Sequence, residues 1–162
     1  MRLLFPALIA VLVLGCADEP TAMPPDPMIE DGSVRAAVLV SQPSAGVAEV
    51  RIRIDAQSLE LGAYQGRFTY DAAALELLKA SMPSDGYRVI NTHGAVDDGL
   101  IRFAGFTVER FQSPIVLAVE FQVHDPAALE RLSVVLEAVG SVEGAAVAED
   151  RILDPKLERV VQ

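Results

Sequence analysis

The sequence predicts an all-β domain: a two-sheet antiparallel β-sandwich, jelly-roll-like, with one or two short helical turns. Three observations lead there. Apolar residues recur at every second position in six segments between residues 34 and 140, the period of a strand with one buried face. Gly, Pro, Ser and Asp cluster between those segments, as turns require. No two strand segments are separated by a helix long enough to serve as a parallel crossover, which argues against a doubly wound α/β sheet.

The chain opens MRLLFPALIAVLVLGC. Arg2 is followed by thirteen uncharged residues, 3–15. A bilayer span needs about 20 residues, so this run reads as the core of an export signal. The boundary Val13-Leu14-Gly15-Cys16 resembles the lipobox of bacterial lipoproteins, with Val13 where the pattern prefers Leu. That resemblance implies removal of residues 1–15 and acylation of Cys16, palmitate included, which ties the protein to a membrane. Buried acyl chains contribute about 0.8 kcal/mol per CH₂, and more than one chain makes the attachment durable. Ala17 after the cysteine resembles the signal for transfer to an outer membrane, where the organism has one. Cys16 is the only cysteine, so no disulfide forms within the chain. Residues 16–33 carry four prolines and five acidic side chains without apolar periodicity. They are expected to form an extended tether, reaching at most roughly 50 Å at about 3.1 Å per residue.

The sandwich domain is placed at 34–162. In its first strand Val34, Ala36, Val38 and Val40 share a face. After the turn-forming SQPSAG, residues 41–46, Val50, Ile52 and Ile54 alternate with Arg51, Arg53 and Asp55. Tyr64, Gly66, Phe68 and Tyr70 continue the alternation until Asp71 breaks it. The following AAALELL suits helix locally, but Met82-Pro83 stops it within nine residues, and so short a helix is marginal alone. The expectation is a short helical turn capped by Asp71, then a return strand over 77–81. Ile101, Phe103 and Gly105 alternate with Arg102 and Ala104, and Ile115, Leu117, Val119, Phe121 and Val123 form the longest inward row. A brief turn is expected at 127–132. Leu132, Val134, Leu136 and Ala138 then point inward, and 146–151 supplies an edge strand.

The ordered segments EVRIRIDAQSLELGAYQGRFTYDAAALELL, GLIRFAGF and IVLAVEFQV resemble the superfamily of cohesins and type 3 cellulose-binding β-sandwiches over roughly 34–140. The most distinctive part is Gly66-Arg67-Phe68-Thr69-Tyr70-Asp71 with Leu75 four residues on. The resemblance implies that the Tyr-Asp pair ends a strand and starts a turn. Tyr70 should bury its ring with its hydroxyl at the rim, and Asp71 should accept the amides of Ala73 or Ala74. Cohesins bind dockerins through one sheet face, whereas cellulose-binding relatives use rows of aromatic residues. This chain has no Trp, and Tyr87, Phe106 and Phe111 are the candidate carbohydrate contacts.

The formal net charge is −10, which excludes the basic footprint of a nucleic-acid binder. No motif calls for a cofactor. His93 and His124 belong to no metal or catalytic pattern, and no serine sits in a nucleophile elbow. Asp97 and Asp98 are candidates for holding a hard cation, but Asp98-Gly99 before a strand is also ordinary turn chemistry. Arg51 and Arg53, beside Glu49 and Asp55, offer a candidate partner surface or a self-paired sheet face. The sequence therefore reads as a non-enzymatic, lipid-anchored binding or structural module of the cell envelope, with an envelope protein as partner. Polysaccharide binding is the alternative, and an envelope enzyme the least supported.

Overall fold

The computed structural model describes residues 32–95 and 97–160. The expected signal at 1–15, the lipidation at Cys16 and the tether up to residue 31 lie outside the described residues. Gly32 and Ser33 belong to the described part, and Ser33 is already buried.

The described residues form nine strands: β1 (Val34–Ser44), β2 (Val47–Asp55), β3 (Leu61–Thr69), β4 (Leu75–Ser81), β5 (Tyr87–Asn91), β6 (Leu100–Phe106), β7 (Ile115–Val123), β8 (Ser133–Ser141) and β9 (Ile152–Arg159). They make a five-stranded sheet of order β4-β7-β2-β1-β9 and a four-stranded sheet of order β5-β6-β3-β8. The fold is the expected two-sheet sandwich. All pairings are antiparallel except that of β1 with β9, which is parallel.

The alternation read from the sequence builds the core. Val34, Ala36, Val38 and Val40 are buried, as are Val50, Ile52 and Ile54 opposite them in register. From the facing sheet come Tyr64 and Phe68 of β3, with Ile101 and Phe103 of β6. Each fully buried side chain of this size contributes about 1.5–3 kcal/mol. Phe68, Tyr70 and Phe121 form one aromatic cluster, with the Tyr70 and Phe121 centroids 4.6 Å apart.

The Tyr70-Asp71 corner ends a strand and starts a turn as expected, but the Tyr70 hydroxyl is buried beneath Ala95 rather than at the rim. The Tyr70 hydroxyl donates to the Ala95 carbonyl. The Ala73 amide donates to Asp71 Oδ1 at 3.1 Å, and Arg131 Nη2 donates to Asp71 Oδ2 at 3.1 Å. The helical piece is shorter than anticipated. The amides of Ala74 and Leu75 both donate to the Asp71 carbonyl, and strand β4 begins at Leu75 rather than at 77. The brief turn expected near 127–132 is a 3₁₀ turn, Pro126–Arg131, capped by the Asp125 side chain on the Ala127 amide.

Three other expectations need correction. The inward row of β8 was placed at even numbers through Ala138, but a bulge opposite Gln65 and Gly66 inserts one residue. Leu136 stays inside, Glu137 and Ala138 both face out, and Val139 becomes the buried residue. The terminal edge strand is not at 146–151, where Ala146 makes only an isolated bridge to Gly140 and Glu149–Arg151 is a 3₁₀ turn. It is β9, which carries Pro155 at a register shift, an arrangement an edge tolerates because one row of its backbone groups needs no ladder partner. Finally, β5 was not anticipated. Among the described residues it pairs on one side only, with β6.

Candidate functional site

The outer face of the four-stranded sheet is assembled by what the inner face requires. Because β6 buries Ile101, Phe103 and Gly105, its even-numbered residues Arg102, Ala104 and Phe106 point outward. β3 likewise buries Tyr64, Gly66 and Phe68, leaving Gln65 and Arg67 exposed. Strand register aligns these residues into cross-strand rows. Tyr87, Phe106 and Ala63 form one row, and Val89, Ala104, Gln65 and Ala138 the next. Asn91, Arg102, Arg67 and Val135 form the third.

The first rows are apolar. Tyr87 is 61% exposed, Phe106 54% and Val89 47%. The Tyr87 and Phe106 ring centroids are 5.2 Å apart with the planes tilted by 42°. The third row is charged. Arg67 Nη1 lies 3.5 Å from Glu137 Oε1, while Gln65 Nε2 donates to Glu137 Oε2 at 3.0 Å. Arg102 sits between Arg67 and Asn91 in register, and among the described residues it has no ion pair. A shallow depression of about 130 Å³ joins the two ends, rimmed by Gln65, Val89, Asn91, Arg102, Ala104 and Glu137.

Edge strand β5, which carries Tyr87 and Val89, is held from beneath by Arg88, whose side chain is 3% exposed. Its Nε donates to the Asp85 carbonyl and its Nη2 to Asp85 Oδ1, both at 2.7 Å. Nη1 donates to Tyr64 Oη at 2.6 Å, and the guanidinium carbon stands 4.4 Å from the Phe111 ring centroid. Asp85 Oδ2 accepts the amides of Gln112 and Ser113. Burial would raise the Asp85 carboxyl, but those amides and the Arg88 charge outweigh it and hold the group below its ordinary value. Burial drives the Tyr64 hydroxyl up to about 12 despite the opposing Arg88 charge. One buried guanidinium thus ties together the loop before β5, the loop before β7 and the aromatic core. Tyr64 in turn lies over Gly105, where an added Cβ would stand 2.6 Å from the Tyr64 ring and hydroxyl.

The other residues singled out by sequence are arranged differently. Arg51 Nε lies 2.8 Å from Glu49, and Arg53 is bidentate on Asp55 at 2.7 and 2.9 Å and 3.6 Å from Glu158. They lie on the outer face of the five-stranded sheet, in the self-paired arrangement. Of the three aromatic candidates, Tyr87 and Phe106 are together and exposed, whereas Phe111 is half-buried with its ring 5.2 Å from Tyr64. Asp97 and Asp98 belong to a tight turn in which the Asp98 and Leu100 amides donate to the Gly94 carbonyl. Gly99 has φ +61°, and a Cβ there would stand 1.9 Å from the Tyr70 carbonyl oxygen, so the glycine serves the turn. No group of three or more His, Cys, Asp or Glu side chains suited to a metal occurs among the described residues.

His124 Nε2 faces Glu76 at 3.4 Å on the surface, and no hydrogen bond joins either histidine to a serine among the described residues. A recess of about 610 Å³ opens between β8 and residues 146–155 and is lined by neither histidine. Sequence reasoning did not single out Arg67, Arg102, Val89 or Val135. The available signal was the outward position of both arginines on neighbouring strands; the register that sets them opposite each other was not legible.

No family model matches the sequence, and no curated protein matches it. Solved structures do. A chain of the Coh-OlpC–Doc435 type I cohesin–dockerin complex from Clostridium thermocellum aligns with a TM-score of 0.57 at 13% identity, over 80% of this chain and 96% of that one. A chain of the CaDoc0917–CaCohA2 complex gives 0.56 at 14% identity, over 79% and 100% respectively; CaCohA2 comes from Clostridium acetobutylicum. The non-cellulosomal cohesin of the archaeon Archaeoglobus fulgidus gives 0.51 at 13% identity, over 79% and 93%. These likenesses establish a cohesin-like β-sandwich fold.

Proposed function

We propose that this protein is a lipid-anchored, extracytoplasmic module of the cell envelope that binds another protein through the outer face of β5-β6-β3-β8. The observation that carries this reading is where the exposed apolar residues lie. Of the seven large hydrophobic side chains exposed among the described residues, Tyr87, Val89, Phe106 and Val135 are on this one face. Surface hydrophobics are ordinarily scattered singly, and a cluster beside arginines has the composition of a protein interface. The cohesin-like fold supports a protein partner, since two of the similar structures are cohesin–dockerin complexes. The lipobox-like Val13-Leu14-Gly15-Cys16 supports the anchor.

A photo-crosslinking residue placed at Phe106 of the full chain, in its native envelope, tests the surface. It should give a discrete adduct that the same residue at Arg51 does not. Adducts from position 51 alone, or none from 106, overturn the assignment. Cys16→Ser should move the protein from the membrane to the soluble fraction; retention in the membrane removes the anchor from the reading.

A second reading, carbohydrate binding, is favoured by one observation, the exposed Tyr87–Phe106 pair. The 42° tilt between the rings and the half-buried position of Phe111 weigh against a flat stacking platform. Retention on insoluble polysaccharide that is lost in Tyr87→Ser/Phe106→Ser would establish it in place of the first.

A further inference from the structure

We propose that the charged end of this face receives carboxylates from an acidic segment of the partner protein, with Arg67 and Arg102 as the recognising pair. This rests on the interaction surface proposed above and adds the chemistry of what docks there. Arg67 and Arg102 are directly opposite in the β3–β6 register and both are exposed. Like charges in that position destabilise a sheet. The repulsion stands in a chain with only 13 basic residues and a net charge of −10. Glu137 relieves it incompletely, since it is 3.5 Å from Arg67 and its other oxygen accepts from Gln65. Arg102 faces the neutral Asn91 on its other side.

The five-stranded sheet shows the contrast: Arg51 and Arg53 each have a carboxylate two residues away, within 2.8 Å. A guanidinium left without a carboxylate on an exposed face is a ready bidentate donor to one. The shallow depression beside Arg102 and the apolar rows beyond it set the rest of the pattern. Arg102 and Phe106 are four residues apart on one strand, roughly 13 Å at strand rise. The docking segment therefore presents acidic side chains at one end and apolar ones at that distance. A protein segment fits this better than a polysaccharide, because Val89, Ala104 and Val135 offer aliphatic contact rather than stacking surface.

Selection of a displayed random-peptide library on the full chain tests this. Wild type should enrich Asp or Glu beside apolar residues, against the repulsion of the protein's overall charge, and Arg67→Glu/Arg102→Glu should enrich Lys or Arg instead. A synthesised peptide from the wild-type selection should bind Arg102→Gln roughly ten- to a hundredfold more weakly and lose affinity with added salt. Arg102→Gln leaves the buried core untouched, so its circular dichroism should match wild type. Neutral or basic peptides lost on Tyr87→Ser/Phe106→Ser would overturn the acidic chemistry while leaving the face intact. Peptides unaffected by that double variant would overturn the face itself. Binding of an oligogalacturonate at the arginines, with no acidic peptide enriched, would likewise overturn the proposal and transfer the site to acidic polysaccharide.

Discussion

The two outer faces of this sandwich are built on the same backbone plan and treat their arginines differently. On the five-stranded sheet Arg51, Arg53 and Lys156 lie within 4 Å of Glu49, Asp55 and Glu158. Its own residues pair those three cations, although Glu49 and Glu120 stand opposite in register and Arg35 Nε is buried without a hydrogen-bond partner among the described residues; Leu78 is exposed at a bulge of edge strand β4. On the four-stranded sheet two arginines stand opposite each other, and apolar side chains lie open beside them. A sheet face with no duty to a partner is free to pair its own cations, and Arg51, Arg53 and Lys156 of the first face are so paired. The second keeps unresolved charge and unburied apolar area, and the binding surface proposed above accounts for both at once.

The comparison breaks most severely if the second face loses its support. Arg88→Met removes a buried guanidinium that binds Asp85 and Tyr64, and leaves the partly exposed Asp85 carboxylate with only the Gln112 and Ser113 amides. Such a loss costs about 3–5 kcal/mol, read as a shift in the urea midpoint of the full chain. β5 should be affected first, because it pairs on one side only. Hydrogen exchange should therefore rise in Tyr87–Asn91 before it rises in β2 or β7. Equal loosening of both sheets would mean that Arg88 serves the core generally rather than the face.

Gly105→Ala attacks the same support from the other side. The added methyl would meet Tyr64, which cannot swing away while Arg88 holds its hydroxyl and Phe111 packs on its ring. Overpacking of this kind costs about 1–3 kcal/mol. Combined with Tyr64→Phe, which frees the ring from Arg88, the penalty should be smaller than the sum, since the two sites share one constraint.

Acid tests the charge on Asp85. Its folded value lies below the ordinary one, so its stabilisation is fully present above the unfolded value of about 4 and is lost as pH falls through the lower folded value. The stability gap between wild type and Asp85→Asn should be widest near neutrality and close below about pH 4. A gap unchanged down to strong acid would show that the carboxylate's charge is not what the Arg88 assembly uses.

What the sequence disclosed about these faces follows from the range of the forces involved. The inward rows of β1, β2, β3, β6 and β7 were legible because period two is a local property, and so was the Asp71 corner, where cap and turn lie within a few residues. β5 was obscured because its half-buried alternation is short and its buried member at the decisive position is an arginine. β9 was obscured by Pro155. The bulge at Glu137 could not be read locally, since it exists only relative to the register of β3. The candidate surface was legible in part for the same reason: Tyr87 and Phe106 were recognised as side chains suited to contact. The Arg67–Arg102 opposition required knowing which strands pair and in what register.

The smallest expected effects decide whether the two faces differ in purpose or only in composition. Arg51→Ala breaks an exposed pair and should cost at most about 1 kcal/mol, with no change in crosslinking from Phe106. Arg102→Glu should do the reverse in stability. It places opposite charges across β3 and β6 and should raise the thermal midpoint by an amount corresponding to roughly 0.2–1 kcal/mol, while weakening partner binding. A residue that stabilises the fold when replaced and weakens binding at the same time is retained for the partner. If Arg102→Glu instead destabilises the chain, the arginine pair serves the sheet, and the distinction between the faces rests on the apolar rows alone.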